Sequence, residues 1–246
     1  MVFLKFENIK KSFKKEVLKD VNLNVKEGEL LGLIGKSGEG KSVLLNILIG
    51  LIKPDNGKII FEDRNTIKKI NYLRKNIGYA SQENMLFDEM SIIENAYYFG
   101  KLYGLSNGEI ELRFYELLPL MGLSDFENVL ISNLSGGMKK RANFLVSLIH
   151  APKLLVLDEP TVGLDPLLRT KIWDYIQKIN KSGTTLIVTS HLLDEIEENC
   201  SRVAILDKGI IIEIQGIKGY KSKYGKNKTL RTIFESLLSE GEEDEN

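Results

Sequence analysis

Residues 35–42 read Gly35-Lys36-Ser37-Gly38-Glu39-Gly40-Lys41-Ser42 and match the phosphate-binding loop pattern G-x-x-x-x-G-K-[ST]. The glycines let the backbone bend sharply and bring its N–H groups against phosphate oxygens. Lys41 adds a positive charge for the β- and γ-phosphates, and the hydroxyl of Ser42 can ligate Mg²⁺. All eight residues are therefore candidates for contact with a nucleotide phosphate chain.

The sequence on either side of this loop supports the same interpretation. Residues 29–34 form a short apolar run, which is typical of a buried parallel strand. Residues 43–49 are apolar nearly all round, as expected of a buried helix whose positive N-terminal end faces the loop. A glycine-rich turn with a chance lysine would need neither the strand nor the helix.

Composition bounds the class of protein. The 246 residues are 43% apolar and 28% charged, which indicates a soluble globular chain large enough for a substantial core. Basic and acidic residues both number 34, so charge predicts no nucleic-acid partner. Cys200 is the one cysteine, which excludes an internal disulfide and fits a reducing cytosol. The first residues do not have the charged-then-apolar order of a signal peptide, and no apolar run approaches about 20 residues, so we expect any membrane role to depend on a partner.

Periodicity along the chain predicts the fold class. Residues 2–9 and 21–25 alternate and predict antiparallel strands, and further strands are expected at 58–62, 77–81, 154–157 and 184–189, with a hairpin over 203–212. Capping boxes at Ser91 and Ser106 precede two helices. We therefore expect an α/β core formed by 1–82 and 134–217, a helical subdomain inserted at 83–133, and a tail at 218–246 whose acidic end, 240–246, is disordered.

Two acidic residues follow an apolar strand. Residues 154–157 lead directly into Asp158 and Glu159. A carboxylate at the C-terminal end of a strand can hold Mg²⁺ beside a phosphate loop, the role we assign to Asp158. An adjacent acid can polarise the water that attacks a γ-phosphate, the role we assign to Glu159. Alone, the pair could equally be a solvated turn; the phosphate loop favours the chemical interpretation.

A second anion-binding helix start is predicted at Leu134-Ser135-Gly136-Gly137-Met138. Standing alone, this stretch would be read as an ordinary helix cap. Together with the loop at 35–42, it gives one chain two kinds of phosphate-binding helix terminus. One ATP held between two copies of the chain would use both.

The order of these motifs resembles that of the ATP-binding cassette (ABC) ATPases. The likeness rests on residues 35–42, Gln82, 134–138, 157–160, 163–165 and His191, and it extends from Val2 to about Ile212. It implies a P-loop NTPase core with a mixed, mainly parallel sheet, an N-terminal antiparallel β subdomain and an inserted helical subdomain.

The resemblance also implies roles for residues that the pattern alone leaves open. It places Phe13 against adenine, where tyrosine is more usual, although Phe13 could be a half-buried aromatic. Gln82 is implied to reach Mg²⁺ and the attacking water and to sense a membrane partner, and His191 to touch the γ-phosphate; both could instead be structural. The signature usually ends in glutamine, but here it ends in Met138, so phosphate contacts are expected from Ser135 and the backbone of 136–137.

We therefore expect the ATPase subunit of an ABC transporter, with ATP and Mg²⁺ as cofactors. The resemblance implies separate transmembrane permease subunits, an ATP-dependent head-to-tail homodimer or a pseudo-dimer with a paralogue, and a position on the inner face of the cell membrane. Residues 134–141 and 161–166 look most like exporters of drugs, lipids or polysaccharides. The alternative is a soluble ABC-type ATPase acting in DNA repair, translation or iron–sulfur assembly. A regulator without turnover is disfavoured by Glu159 and His191.

Overall fold

The computed structural model describes residues 2–66, 69–83 and 85–243, with side chains up to residue 239. The strands in this part of the chain are β1 (Val2–Ser12), β2 (Glu16–Lys26), β3 (Leu30–Ile34), β4 (Asn56–Phe61), β5 (Arg64–Asn65), β6 (Ile77–Ala80), β7 (Leu154–Asp158), β8 (Thr185–Thr189), β9 (Arg202–Asp207) and β10 (Ile210–Gly216). The helices are α1 (Lys41–Leu48), α2 (Ile70–Asn76), α3 (Ile92–Leu102), α4 (Asn107–Leu120), α5 (Gly136–Ser147), α6 (Pro166–Lys181), α7 (Leu193–Asn199), α8 (Ile217–Tyr224) and α9 (Leu230–Glu243).

The chain forms two compact units. The first comprises Met1–Ile70 and Ile187–Asn246, and the second comprises Asn71–Leu186. The boundary falls within β8, all five residues of which are buried.

The first unit carries an antiparallel sheet in the order β2-β1-β4-β5. In it Leu4 pairs with Val25 on one side and Phe61 on the other, and all three side chains are buried. The period-2 pattern of β2 thus buries one face, as an antiparallel strand requires. In the same unit β3 runs parallel to β9, and β10 returns antiparallel to β9 as a hairpin.

The second unit combines parallel strands with helices. Strands β6 and β7 pair in parallel from Ile77 with Leu154 to Ala80 with Leu157. Helices α3 and α4 begin at Ser91 and Ser106, and both predicted capping boxes are formed.

The predicted fold class is confirmed: an α/β fold with a mixed, mainly parallel sheet and a separate antiparallel sheet. Helices α2, α8 and α9 were not predicted. Helix α9 continues through Glu243, so 240–243 are helical where the sequence suggested disorder, and 244–246 lie outside the described residues. Pro119 sits in the last turn of α4, which ends at Leu120, and Gly122 with a φ of 61° turns the chain just beyond it. The inserted helical subdomain at 83–133 stays a prediction. Within the described residues, no helix has both the length and the apolar character needed to traverse a bilayer.

Candidate nucleotide-binding and hydrolysis site

The phosphate loop joins β3 to α1 in the first unit. The wholly buried strand β3 delivers the chain to Gly35, where a Cβ atom would lie 2.3 Å from the backbone oxygen of Leu206. Only glycine fits this approach, because the obstructing atom belongs to the backbone. Gly38 and Gly40 have φ angles of 89° and 105°, in the left-handed region that glycine adopts without strain. The loop geometry therefore depends on the two glycines that the pattern specifies, Gly35 and Gly40, and on Gly38 at one of its variable positions.

Lys41 is held across its own loop. Its Nζ donates hydrogen bonds to the carbonyl oxygens of Gly35 (2.7 Å) and Lys36 (3.0 Å). These contacts keep a positive charge beside the loop at the start of α1. Gly40 is the N-cap of that helix and supplies no side-chain cap, which suits a helix terminus that meets an anion. The carboxylate of Glu39 accepts a hydrogen bond from the backbone N–H of Lys208 and so fastens the loop to the β9–β10 turn.

The two predicted acids lie at the end of β7 in the second unit. Asp158 is buried, and its Oδ2 accepts a hydrogen bond of 3.4 Å from the hydroxyl of Tyr79. Burial, together with the negative charge of Asp158, raises the pKa of Tyr79 to about 12, so the hydroxyl stays a donor. Tyr79 is a partner that sequence reasoning missed, since only its position near the end of β6 hinted at it.

Glu159 adopts an uncommon backbone conformation. Its φ is 51°, in the left-handed region, where a residue other than glycine costs about 1–2 kcal/mol. The side chain is half-buried. Strain of this kind persists where surrounding structure holds it and clusters at functional sites. The left-handed conformation of Glu159 lies directly after β7, where the chain leaves the strand.

Gln82 lies just beyond β6 in the same unit, with an exposed side chain. Lys140 of α5 contacts the backbone of both Gln82 and Glu159. Its Nζ donates hydrogen bonds to the carbonyl oxygens of Gln82 (3.0 Å) and Glu159 (3.4 Å). Burial lowers the pKa of Lys140, while the charges of Glu159 and Asp158 act in the opposite direction. The second unit therefore places the backbones of Gln82 and Glu159 within reach of one ammonium, and Asp158 directly precedes Glu159 in the chain.

Ser135 caps α5 in the second unit. Its hydroxyl oxygen accepts a hydrogen bond from the backbone N–H of Met138 at 3.3 Å. Because the bond uses the backbone of residue 138, Met138 in place of glutamine leaves it intact. The Ser135 proton is not used in this bond, so capping is compatible with donation to a phosphate.

Phe13 and His191 lie in the first unit. Phe13 is 58% exposed in the turn after β1, with the Lys11 ammonium 5.4 Å from the ring centroid. This exposure contradicts the half-buried alternative and leaves a ring available for stacking. His191 is exposed between β8 and α7. His150, which the sequence left as structural, stacks on Tyr103 with the rings 3.6 Å apart.

The donor set suits a hard cation. In the second unit, Asp158 and Gln82 carry carboxylate and amide oxygens at the ends of neighbouring strands. Mg²⁺ prefers oxygen ligands and is commonly bound through one or two carboxylates plus substrate phosphates. Among the residues the structure describes, no cluster of three or more His, Cys, Asp or Glu forms a self-contained metal site.

Comparison with known proteins identifies the family. The family model described as "ABC transporter" matches residues 18–162. The linearmycin resistance ATP-binding protein LnrL of Bacillus subtilis is 39% identical over 86% of this chain and 68% of its own length. The chain belongs to the ABC transporter family, and it is an ATP-binding, ATP-hydrolysing member of it.

Two further relatives extend the comparison. The Nod factor export ATP-binding protein I of Bradyrhizobium diazoefficiens is 38% identical over 82% of this chain and 66% of its own length. The solved dimer of the ATP-binding cassette MJ0796 with ADP and Pi superposes with a TM-score of 0.79 at 29% identity, covering 87% of this chain and 99% of that one. The chain spans only 12–13% of some longer relatives. Membership of this family supports the predicted transporter ATPase and does not support the alternative, a soluble ABC-type ATPase.

Proposed function

We propose that the chain powers an exporter and that hydrolysis depends on Glu159 as the general base. The observation that carries this assignment is the strand-end geometry: a buried Asp158 is followed by Glu159 in a left-handed conformation, beside Gln82. An exporter is supported by the likeness of most of this chain to a Nod factor export ATP-binding protein and to a linearmycin resistance ATP-binding protein.

The proposed chemistry is a single displacement at phosphorus. Glu159 accepts a proton from water, whose oxygen forms a bond to the γ-phosphorus while the bond to the bridging β–γ oxygen breaks, giving ADP and phosphate. Lys41 neutralises charge on the phosphates, and His191 contacts the γ-phosphate. Ser42, Asp158 and Gln82 would hold Mg²⁺, which supplies Lewis-acid stabilisation of the phosphate oxygens. Phe13 stacks on the base through its exposed ring.

The proposed assembly is a head-to-tail dimer in which Ser135 and the backbone of 136–137 face the phosphate loop of the partner copy. The dimeric structure of MJ0796, similar over 87% of this chain, supports it. The two copies are identical chains or this chain and a paralogue, bound to separate permease subunits at the inner face of the membrane.

A patch in the second unit is the proposed permease contact. Phe87 and Tyr98 are 40% and 41% exposed, and their rings meet edge to face at 4.8 Å. Met85 and Leu102, in the same stretch of chain, are exposed at 62% and 67%. Exposed apolar side chains grouped in this way mark protein contact sites. The patch lies within residues 83–105, directly after Gln82, which the resemblance to the ABC ATPases implies senses a membrane partner.

The test of the catalytic assignment is Glu159→Gln. Glutamine nearly keeps the shape but cannot accept a proton, so kcat should fall by about 10²–10⁴-fold. ATP should still bind, and the variant should accumulate an ATP-dependent dimer by mass action. Turnover by phosphate release and size by gel filtration measure both effects. Near-normal turnover would remove Glu159 from its role, and a slow variant that stays monomeric at high ATP would contradict the dimer.

A further inference from the structure

Three consecutive basic residues on α5 reach three different segments of the second unit. Lys139 pairs with Asp88 at 3.4 Å, and Arg141 Nη1 donates to the carbonyl oxygens of Met121 (2.8 Å) and Gly122 (3.0 Å). Lys140 between them reaches the carbonyls of Gln82 and Glu159. The run 139–141 is therefore not a uniform solvated charge patch. Its middle member is directed at the ends of β6 and β7.

The two carbonyls belong to segments that leave the sheet side by side. The β6–β7 ladder has its last pair at Ala80 and Leu157, two residues before Gln82 and Glu159. Beyond that pair, the Lys140 ammonium is a donor that both segments share. A charged donor makes stronger hydrogen bonds than a neutral one, and the bond to Glu159 is partly buried, whereas the bond to Gln82 is open to water.

We propose that Lys140 is a positioning residue that ties the segment of Gln82 to that of Glu159, so that the two move together. This inference rests on the proposed roles of Gln82 and Glu159. Lys140 itself touches neither substrate nor cofactor in this proposal. By holding the carbonyl groups of Gln82 and Glu159, Lys140 limits the movement of both side chains and of the left-handed turn at Glu159. A displacement of about 1 Å at a catalytic group can cost about 10²-fold in rate, so such a tie has catalytic consequences.

The test compares Lys140→Met, Lys140→Arg and Lys139→Met in the full chain without nucleotide. Methionine keeps most of the stem but removes the donor, whereas arginine keeps a charged donor. Hydrogen exchange followed by mass spectrometry should show about 10-fold faster exchange for Lys140→Met in peptides covering 77–83 and 159–164. Lys140→Arg should stay within about threefold of the parent in both peptides. Lys139→Met, the matched control one residue away, should leave the 159–164 peptide unchanged.

Steady-state hydrolysis gives a second readout. Lys140→Met should lower kcat by about 10-fold and change KM by less than about threefold, because nucleotide binding through Lys41 is retained. The proposal would be overturned if Lys140→Met exchanged at the parent's rate in both peptides. It would also be overturned if Lys140→Arg exchanged as fast as Lys140→Met. Glu159→Gln, measured in the same assay, distinguishes failure of the Lys140 proposal from failure of the proposed function. If it loses turnover while Lys140→Met behaves as the parent, only the tie is refuted; if it turns over normally, the proposed function fails.

Discussion

Gly136→Ala tests whether the start of α5 is more than a helix cap. A Cβ built at Gly136 meets no atom within 4 Å, and its φ is outside the left-handed region. Alanine therefore fits the fold. Replacing glycine by alanine at a compatible position raises the free energy of unfolding by about 0.4–1 kcal/mol, chiefly by restricting the unfolded chain. If residues 135–137 only cap the helix, Gly136→Ala should change the free energy of unfolding by this amount and should leave activity unchanged.

The proposed dimer predicts a further effect. A phosphate from the partner copy would approach the backbone N–H groups of 136–137, and the added methyl group would stand in the open space beside Gly136. A displacement of about 1 Å is worth about 10²-fold, or about 2.7 kcal/mol. We therefore expect Gly136→Ala to lower kcat about 10²-fold. In the Glu159→Gln background, it should weaken ATP-dependent dimerisation by a similar factor.

Urea unfolding and gel filtration with and without ATP measure the two effects separately. Gly108→Ala is the matched control, because Gly108 also lies in the first turn of a helix, has no left-handed φ, and meets no atom within 4 Å of a built Cβ. Both variants should be at least as stable as the parent, and only Gly136→Ala should lose the dimer. A Gly136→Ala, Glu159→Gln chain that dimerises at the parent's ATP and protein concentrations would refute the reasoning and leave 135–137 as a cap.

Three other predictions address the loop, the docking patch and a buried histidine. Lys41→Ala should lower Mg-ATP affinity at least about 10-fold in calorimetry, because the charge beside the β- and γ-phosphates is lost; unchanged affinity would mean that the loop is misassigned. Cross-linking in native membranes should join a multi-span partner to residues 83–105, and cross-links confined to 218–231 would contradict the proposed patch. Burial is the main cause that lowers the pKa of His150 from 6.5 to about 4, so the unfolded chain takes up the proton first and stability is lost as pH falls from 6.5 towards 4. Between pH 7 and 5 we expect a loss of about 2 kcal/mol in urea unfolding that His150→Phe removes, and an equal loss in both chains would exclude His150 as its cause.

The sequence predicted those parts of the site that depend on local chemistry. The glycines at 35, 38 and 40 are recognisable because a close approach or a left-handed φ excludes other residues. Asp158 and Glu159 are recognisable because they end an apolar run, and Ser91 and Ser106 because capping uses a residue three positions away.

Contacts between segments far apart in the sequence could not be predicted from local sequence patterns. Tyr79 reaches Asp158 across 79 positions, and Lys140 reaches Gln82 across 58. Neither pairing leaves a periodic or spaced pattern, since it depends on which strands become neighbours. The C-terminal helices were missed for the same reason: Glu197 in α7 accepts hydrogen bonds from the backbone N–H of Leu230 at 2.7 Å and pairs with Lys221 at 2.6 Å. A basic stretch that suggested a tail is thus fixed by an acidic residue from another helix.

Within the second unit, the proposed docking patch is joined by backbone hydrogen bonds to the segment that precedes Ser135. The backbone N–H groups of Ile131 and Ser132 donate to the carbonyl oxygens of Met90 (2.9 Å) and Asp88 (3.0 Å). The wholly buried Asn95 stiffens the same stretch: its side chain accepts from the N–H of Phe87 at 2.9 Å and donates to the carbonyls of residues 87, 90 and 91. A partner that contacts Phe87 would therefore contact a segment, residues 87–91, that is held by hydrogen bonds to Asn95 and to residues 131–132. If the permease binds at the proposed patch, these hydrogen bonds are the direct backbone link from it to the residues immediately before Ser135.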